Sequence, residues 1–80
     1  MKVEVYSKDG CPNCVNVKKL LDKKEIPYTI TDLTNDTARM TFFERVGNGV
    51  RTMPQIFIDG ERVGGFNETV VDPRIRNYQK

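Results

Sequence analysis

Eighty residues with 13 lysines and arginines against 11 aspartates and glutamates carry a formal charge of +2, too small a surplus to argue for nucleic acid as a partner. The length allows one domain over residues 1–80 and no second core. The absence of histidine removes cysteine–histidine nucleophilic pairs and the Cys-x-x-Cys-His haem attachment, and two cysteines alone make no intrachain zinc site.

Residues 2–6, Lys-Val-Glu-Val-Tyr, alternate with period two and place Val3 and Val5 on one face of a strand. Lys8-Asp9-Gly10 turns the chain out of it. Cys11-Pro12-Asn13-Cys14 then holds both cysteines of the sequence. Pro12 suits the first position of a helix, where its missing N–H costs nothing and its fixed φ fits. Cys11 then stands at the helix N-terminus, where unpaired N–H groups and the positive end of the dipole favour an anion. Thiolate, the nucleophilic form, is favoured there over thiol. Cys14 falls one turn later, within reach of a small disulfide ring. Such a ring closes too short a loop to be an effective staple. A Cys-x-x-Cys at a strand-to-helix junction is instead a thioredoxin-like redox signature.

From Pro12 to about Lys24, Cys14, Val17, Leu20 and Leu21 recur at helical spacing and face a core. Lys18, Lys19, Lys23 and Lys24 occupy the solvent side and last turn, where lysine complements the dipole. Ile26-Pro27 breaks the helix, and Tyr28 to Thr31 reads as a short second strand. Thr34-Asn35-Asp36 offers caps for a second helix, whose buried face is expected at Met40, Phe43 and Val46, with Phe42 alongside. Gly47-Asn48-Gly49 stops it. Thr52-Met53-Pro54 is an extended entry to a third strand, Gln55 to Ile58. Asp59-Gly60 signals a type I′ hairpin turn, and Glu61-Arg62-Val63 returns as a fourth strand ending at Gly64-Gly65. From Phe66 to Lys80 the pattern is ambiguous: Asn67 is placed to cap a short helix, and Asp72-Pro73 interrupts it, leaving residues 73–80 as a polar tail. No run has the length of a signal-peptide core or a membrane span, so a cytoplasmic protein without membrane partners is expected. The element order puts one sheet between helices, with the first two strands parallel across a right-handed crossover and the hairpin antiparallel.

Four separated pieces of this chain resemble the glutaredoxins: Tyr6-Ser7-Lys8, Cys11-Pro12-Asn13-Cys14, Arg51 to Ile58, and Gly64-Gly65-Phe66, together covering residues 1 to about 71. The resemblance implies an α/β class with a thioredoxin-like fold. Its four-stranded mixed sheet has order 2-1-3-4, flanked by two long helices and a short C-terminal helix. It also implies a cis bond before Pro54.

Roles follow from the same resemblance. Cys11 corresponds to the attacking thiol and Cys14 to the resolving one. Lys8 matches a lysine that pairs with a glutathione carboxylate. Pro12 and Asn13 border the glutathione groove, and Thr52, Met53 and Pro54 form the segment that pairs with the tripeptide like an added strand. Gly65 and the amides of Phe66 and Asn67 match the site for the γ-glutamyl carboxylate. Asn13 replaces an aromatic found in many members, and Asn67 stands where an acidic residue is common. Glutathione is then a co-substrate, with no tightly bound cofactor and no metal. Partners are glutathione and disulfide-containing proteins, ribonucleotide reductase among them by family analogy, and the unit is a monomer. Two alternatives remain. One is a redoxin recharged by thioredoxin reductase, a group that usually ends in a tryptophan-containing segment, whereas this chain has no Trp. The other is a carrier in which two chains and two glutathiones hold one 2Fe–2S cluster through Cys11, because two cysteines cannot supply four ligands in one monomer.

Overall fold

Alternation along β1 (Val3–Ser7) decides the layers of the molecule. In the computed structural model, which describes residues 1–79, Val3, Val5 and Ser7 are buried while Glu4 and Tyr6 are half-buried on the opposite face. β1 lies inside a four-stranded sheet of order β2-β1-β3-β4, where β2 is Thr29–Asp32, β3 is Gln55–Ile58 and β4 is Glu61–Gly64. β2 runs parallel to β1, whereas β3 is antiparallel to both β1 and β4. Val3 opposes Ile58 and Val5 opposes Ile56, so β-branched pairs line one face of the two central strands. Asp59 and Gly60 both have positive φ, at 51° and 83°, the type I′ geometry expected of the hairpin.

The helix α1 (Pro12–Lys23) buries Cys14, Val17 and Leu21 against that face. It closes earlier than the Ile26-Pro27 break. Ile26 N–H donates to the Leu21 carbonyl and Glu25 N–H to that of Asp22, with Glu25 left-handed at φ 57°, a Schellman ending. Ile26 thereby joins the apolar cluster of Val3, Val5, Val17, Leu21, Ile56, Ile58 and Ile75. β2 is displaced by one residue from the expected Tyr28 to Thr31. Tyr28 packs toward the core and its hydroxyl donates to Asp22 Oδ1 at 2.9 Å, so the ladder begins at Thr29, and all four strand residues are exposed at the sheet edge.

The other face of the sheet is thinner. α2 (Asp36–Val46) starts at Asn35, whose Oδ1 accepts the Ala38 N–H at 2.9 Å. Of its expected apolar face only Phe43 is buried, and Met40 is 49 % exposed. Phe42 carries the packing instead, stacking on Tyr6 with centroids 4.6 Å apart, while Tyr6 meets Phe57 edge-on at 5.5 Å. The helix rests on these rings and leaves a cleft of about 630 Å³ between itself and the sheet, lined on the helix side by Ala38, Thr41, Phe42, Arg45 and Val46, while Met40 lies off that face.

The C-terminal segment departs furthest from expectation. Two short helices follow β4, α3 (Phe66–Val71) and α4 (Pro73–Arg76). Gly65, not Asn67, is the N-cap of α3, and Glu68 Oε1 accepts the Gly65 N–H at 2.7 Å. Asp72 ends α3 and caps α4, its Oδ1 accepting the Arg74 N–H at 2.9 Å. Pro73 interrupts one helix and opens the next, since proline is well tolerated at a first helical position. The expected polar tail therefore begins with a helical turn whose Ile75 is fully buried. Lys80 lies outside the described residues. Among those residues no helix is long and apolar enough to cross a membrane.

Candidate active site

Three pieces of chain meet at the C-terminal end of β1. Gly10 (φ 70°) makes the turn out of the strand, and the Asp9 N–H donates to Thr34 Oγ1 at 3.0 Å, tying that turn to the β2–α2 loop. Cys11 is the N-cap of α1, with extended backbone angles, and Pro12 occupies the first helical position. Both acceptor groups of Cys11 serve the helix start. Its carbonyl accepts the N–H groups of Cys14 and Val15 at 3.1 and 3.2 Å. Its Sγ accepts the Cys14 N–H at 3.1 Å. An N-cap is usually an oxygen-bearing side chain, and a sulfur in that place is stabilised most when it is negatively charged.

Cys11 and Cys14 are joined as a disulfide, with Cys11 8 % exposed and Cys14, on the core-facing stripe of α1, 1 % exposed. The intervening Pro12 and Asn13 are exposed, and Asn13 Oδ1 accepts a hydrogen bond from Asn16 Nδ2 at 3.2 Å. Asn13 is thus engaged along its own helix. Lys8 is exposed and has no hydrogen bond or ion pair with any described residue.

The second piece is the loop before β3. The Met53–Pro54 bond is cis, and the Met53 carbonyl oxygen lies 3.5 Å from Cys11 Sγ. Thr52 is exposed, Met53 half-buried and Pro54 buried. The third piece is the β4–α3 junction. A methyl group placed on Gly65 would lie 3.6 Å from the Pro54 carbonyl oxygen, so the junction and the Pro54 loop are neighbours. Phe66 packs on the apolar cluster, and Asn67 is exposed as the second residue of α3. The Phe66 and Asn67 amides are among the first N–H groups of that helix, which have no partner within it.

One residue of the assembly lies within the Arg51 to Ile58 piece but takes no role from the resemblance. Gln55 is 2 % exposed, and its Nε2 donates to the Thr52 carbonyl at 3.0 Å, with Thr52 Oγ1 at 3.3 Å. The signal for it was available: a polar residue heading the apolar run Ile56-Phe57-Ile58 must find hydrogen-bond partners once buried.

The family model described as glutaredoxin matches residues 3–63. Glutaredoxin 1 of Rickettsia typhi is 39 % identical over 66 residues, covering 80 % of this chain and 62 % of that protein. This chain therefore spans about three fifths of that relative's length. The crystal structure of glutaredoxin 1 from Francisella tularensis, complexed with cacodylate, superposes with a TM-score of 0.87 at 32 % identity, covering 96 % of this chain and 98 % of that one. The crystal structure of a buckwheat glutaredoxin–glutathione complex gives a TM-score of 0.74 at 28 % identity, covering 94 % and 68 %.

Proposed function

Since the chain belongs to the glutaredoxin family, we propose that it is a glutathione-dependent thiol–disulfide oxidoreductase, with Cys11 as nucleophile and Cys14 as resolving thiol. One observation carries the reading. Cys11 Sγ caps α1 through the Cys14 N–H while lying 3.5 Å from the Met53 backbone. A nucleophile is stabilised as its anion beside a stretch of chain able to pair with a peptide.

The cycle follows from thiol–disulfide exchange. The Cys11 thiolate attacks a glutathione mixed disulfide at the glutathione sulfur, forming a Cys11–glutathione disulfide and releasing the other thiolate, which takes up a proton. A second glutathione thiolate attacks that disulfide, leaving oxidised glutathione and the Cys11 thiolate. A protein disulfide uses both thiols: after Cys11 forms a mixed disulfide with the protein, the Cys14 thiolate attacks Cys11 Sγ. The protein dithiol leaves and the Cys11–Cys14 disulfide closes. Two glutathiones then reduce it. The Met53 backbone, Thr52, the Gly65–Asn67 amides and Lys8 are the groups proposed to hold the tripeptide, with Pro12 and Asn13 along its edge. The unit proposed is a monomer, with both thiols on one chain, and its proposed location is the cytoplasm, where paired cysteines are more often catalytic than structural. Among protein substrates, ribonucleotide reductase is the candidate that family analogy supplies.

The deciding experiment is turnover of a glutathione mixed disulfide, coupled in parallel to glutathione with glutathione reductase and to thioredoxin reductase. Turnover with the glutathione couple alone is expected. Recharging by thioredoxin reductase alone overturns glutathione dependence, and visible absorbance of an iron–sulfur centre in freshly purified protein points to the carrier reading.

A further inference from the structure

Gln55 is buried and its amide is fully committed. Arg62 Nη1 donates to Gln55 Oε1 at 3.2 Å. A guanidinium has donors and no acceptor, so the amide oxygen faces Arg62 and the nitrogen faces Thr52. The strand register supplies the reach. Gln55 and Phe57 alternate onto one face of β3, and Arg62 stands opposite Phe57 on β4.

The effect falls on Met53. In a planar trans peptide the carbonyl and the following N–H point in opposite directions, and the cis bond of this loop is the next one, Met53–Pro54. The Thr52 carbonyl, turned to Gln55 Nε2 at 3.0 Å, therefore aims the Met53 N–H away from Gln55. That N–H has no hydrogen-bond partner among the described residues. The Met53 carbonyl, on the other side of the same residue, lies 3.5 Å from Cys11 Sγ. The unpaired donor thus belongs to the same residue whose carbonyl faces the nucleophile.

We infer that Gln55, braced by Arg62, is a positioning residue that fixes the Thr52–Met53 peptide so that the Met53 N–H is presented to the backbone of a glutathionyl substrate. The inference rests on the glutathione reading above. Gln55 acts through Thr52 and touches no reacting atom. A substrate whose mixed disulfide has no peptide backbone next to its sulfur gains nothing from it.

The test uses 2-mercaptoethanol, a thiol with no peptide of its own, in disulfide linkage either to glutathione or to free cysteine. Gln55→Met, similar in size and unable to donate, should raise KM for the glutathione mixed disulfide about three- to tenfold, the value of one neutral hydrogen bond. Turnover of the cysteine mixed disulfide and iodoacetamide alkylation of reduced Cys11 should stay within about twofold of the parent, since neither uses that bond. Arg62 is exposed, so Arg62→Met is safe for folding. It should move KM in the same direction by less, and Arg62→Lys, which still donates, should restore it. A folded Gln55→Met with parental KM overturns the inference, as does equal loss toward both mixed disulfides with slowed alkylation, the mark of a merely structural role. If Gln55→Met does not fold, the Arg62 pair decides: parental KM in Arg62→Met overturns it. A parent with no preference between the two mixed disulfides overturns the glutathione reading and this inference together.

Discussion

Cys11 Sγ and the Met53 carbonyl oxygen lie 3.5 Å apart across 42 positions of sequence. A reduced Cys11 has two partners that prefer opposite states. The carbonyl accepts from a thiol S–H and repels a thiolate, whereas the Cys14 N–H at 3.1 Å and the start of α1 hold a thiolate. The Cys14 N–H together with the helix end is expected to outweigh one carbonyl dipole.

Reduced Cys11 should therefore titrate below the free-thiol value of about 8.5. At neutral pH, iodoacetamide should modify Cys11 well before Cys14, which is 1 % exposed. Thiolate ultraviolet absorbance against pH gives the first quantity and peptide mapping the second. Labelling of Cys14 first would reverse the two roles.

The cysteines should separate by task. Cys14→Ser is expected to keep reduction of a small glutathione mixed disulfide, which needs one thiol, and to lose most dithiol reduction of a protein disulfide. Cys11→Ser should fall to background in both assays. A Cys14→Ser protein inactive toward the small substrate would mean that the cycle always passes through the Cys11–Cys14 disulfide.

Asp72 should mark the acid limb of stability. The Arg74 side chain, at 2.8 and 3.0 Å, and next the Arg74 N–H hold its carboxyl below the ordinary carboxylate range, against the opposing effect of burial. With the folded value depressed, the stabilisation is present above the unfolded value of about 3.9 and is lost as pH falls through the folded one. Asp72→Ala should cost about 1 kcal/mol at neutral pH, as lost helix caps do. Its penalty should shrink in acid. Urea denaturation at neutral and acid pH measures both.

Ile75 and Val71 should behave oppositely although both are β-branched and four positions apart. Ile75 is fully buried and Val71 is 62 % exposed. Ile75→Ala should lose about 2–5 kcal/mol, a large share of the stability of a domain this small. Val71→Ala should stay within about 0.5 kcal/mol. Equal melting temperatures for the two variants would mean that α4 does not complete the core.

What the sequence disclosed was whatever short-range chemistry controls. The β1 alternation, Pro12 at the start of α1 and the Asp59-Gly60 turn each depend on neighbours a few positions away, and each stands where the pattern put it. The glutaredoxin resemblance supplied the sheet order and the cis bond before Pro54, which local pattern does not encode. Misreadings occur where tertiary packing decides. Met40 has helical spacing suited to a core, yet α2 rests on aromatic rings at one end and leaves Met40 exposed. Ile75 stands among arginines and just after Asp72-Pro73, a context that reads as a tail until Asp72 caps a second helical turn. The site divides in the same way. Cys11 and Cys14 were legible from spacing. Gln55 was not, because its function depends on Thr52 and on Arg62 of the adjoining strand.

The uneven filling of the two sides of the sheet has a kinetic consequence. The apolar cluster of Val3, Val5, Val17, Leu21, Ile26, Ile56, Ile58 and Ile75 ties β1 and β3 to α1 and α4, while α2 buries Phe43 alone above an open cleft. Local opening is cheapest where few apolar groups are buried. Amide protons of α2 should thus exchange with solvent through a fluctuation that leaves the central strands closed, and those of β1 and β3 only when the whole chain unfolds. Cys11 at the head of α1 and Met53 at the entry to β3 belong to the slowly opening part, so their spacing outlasts many excursions of α2.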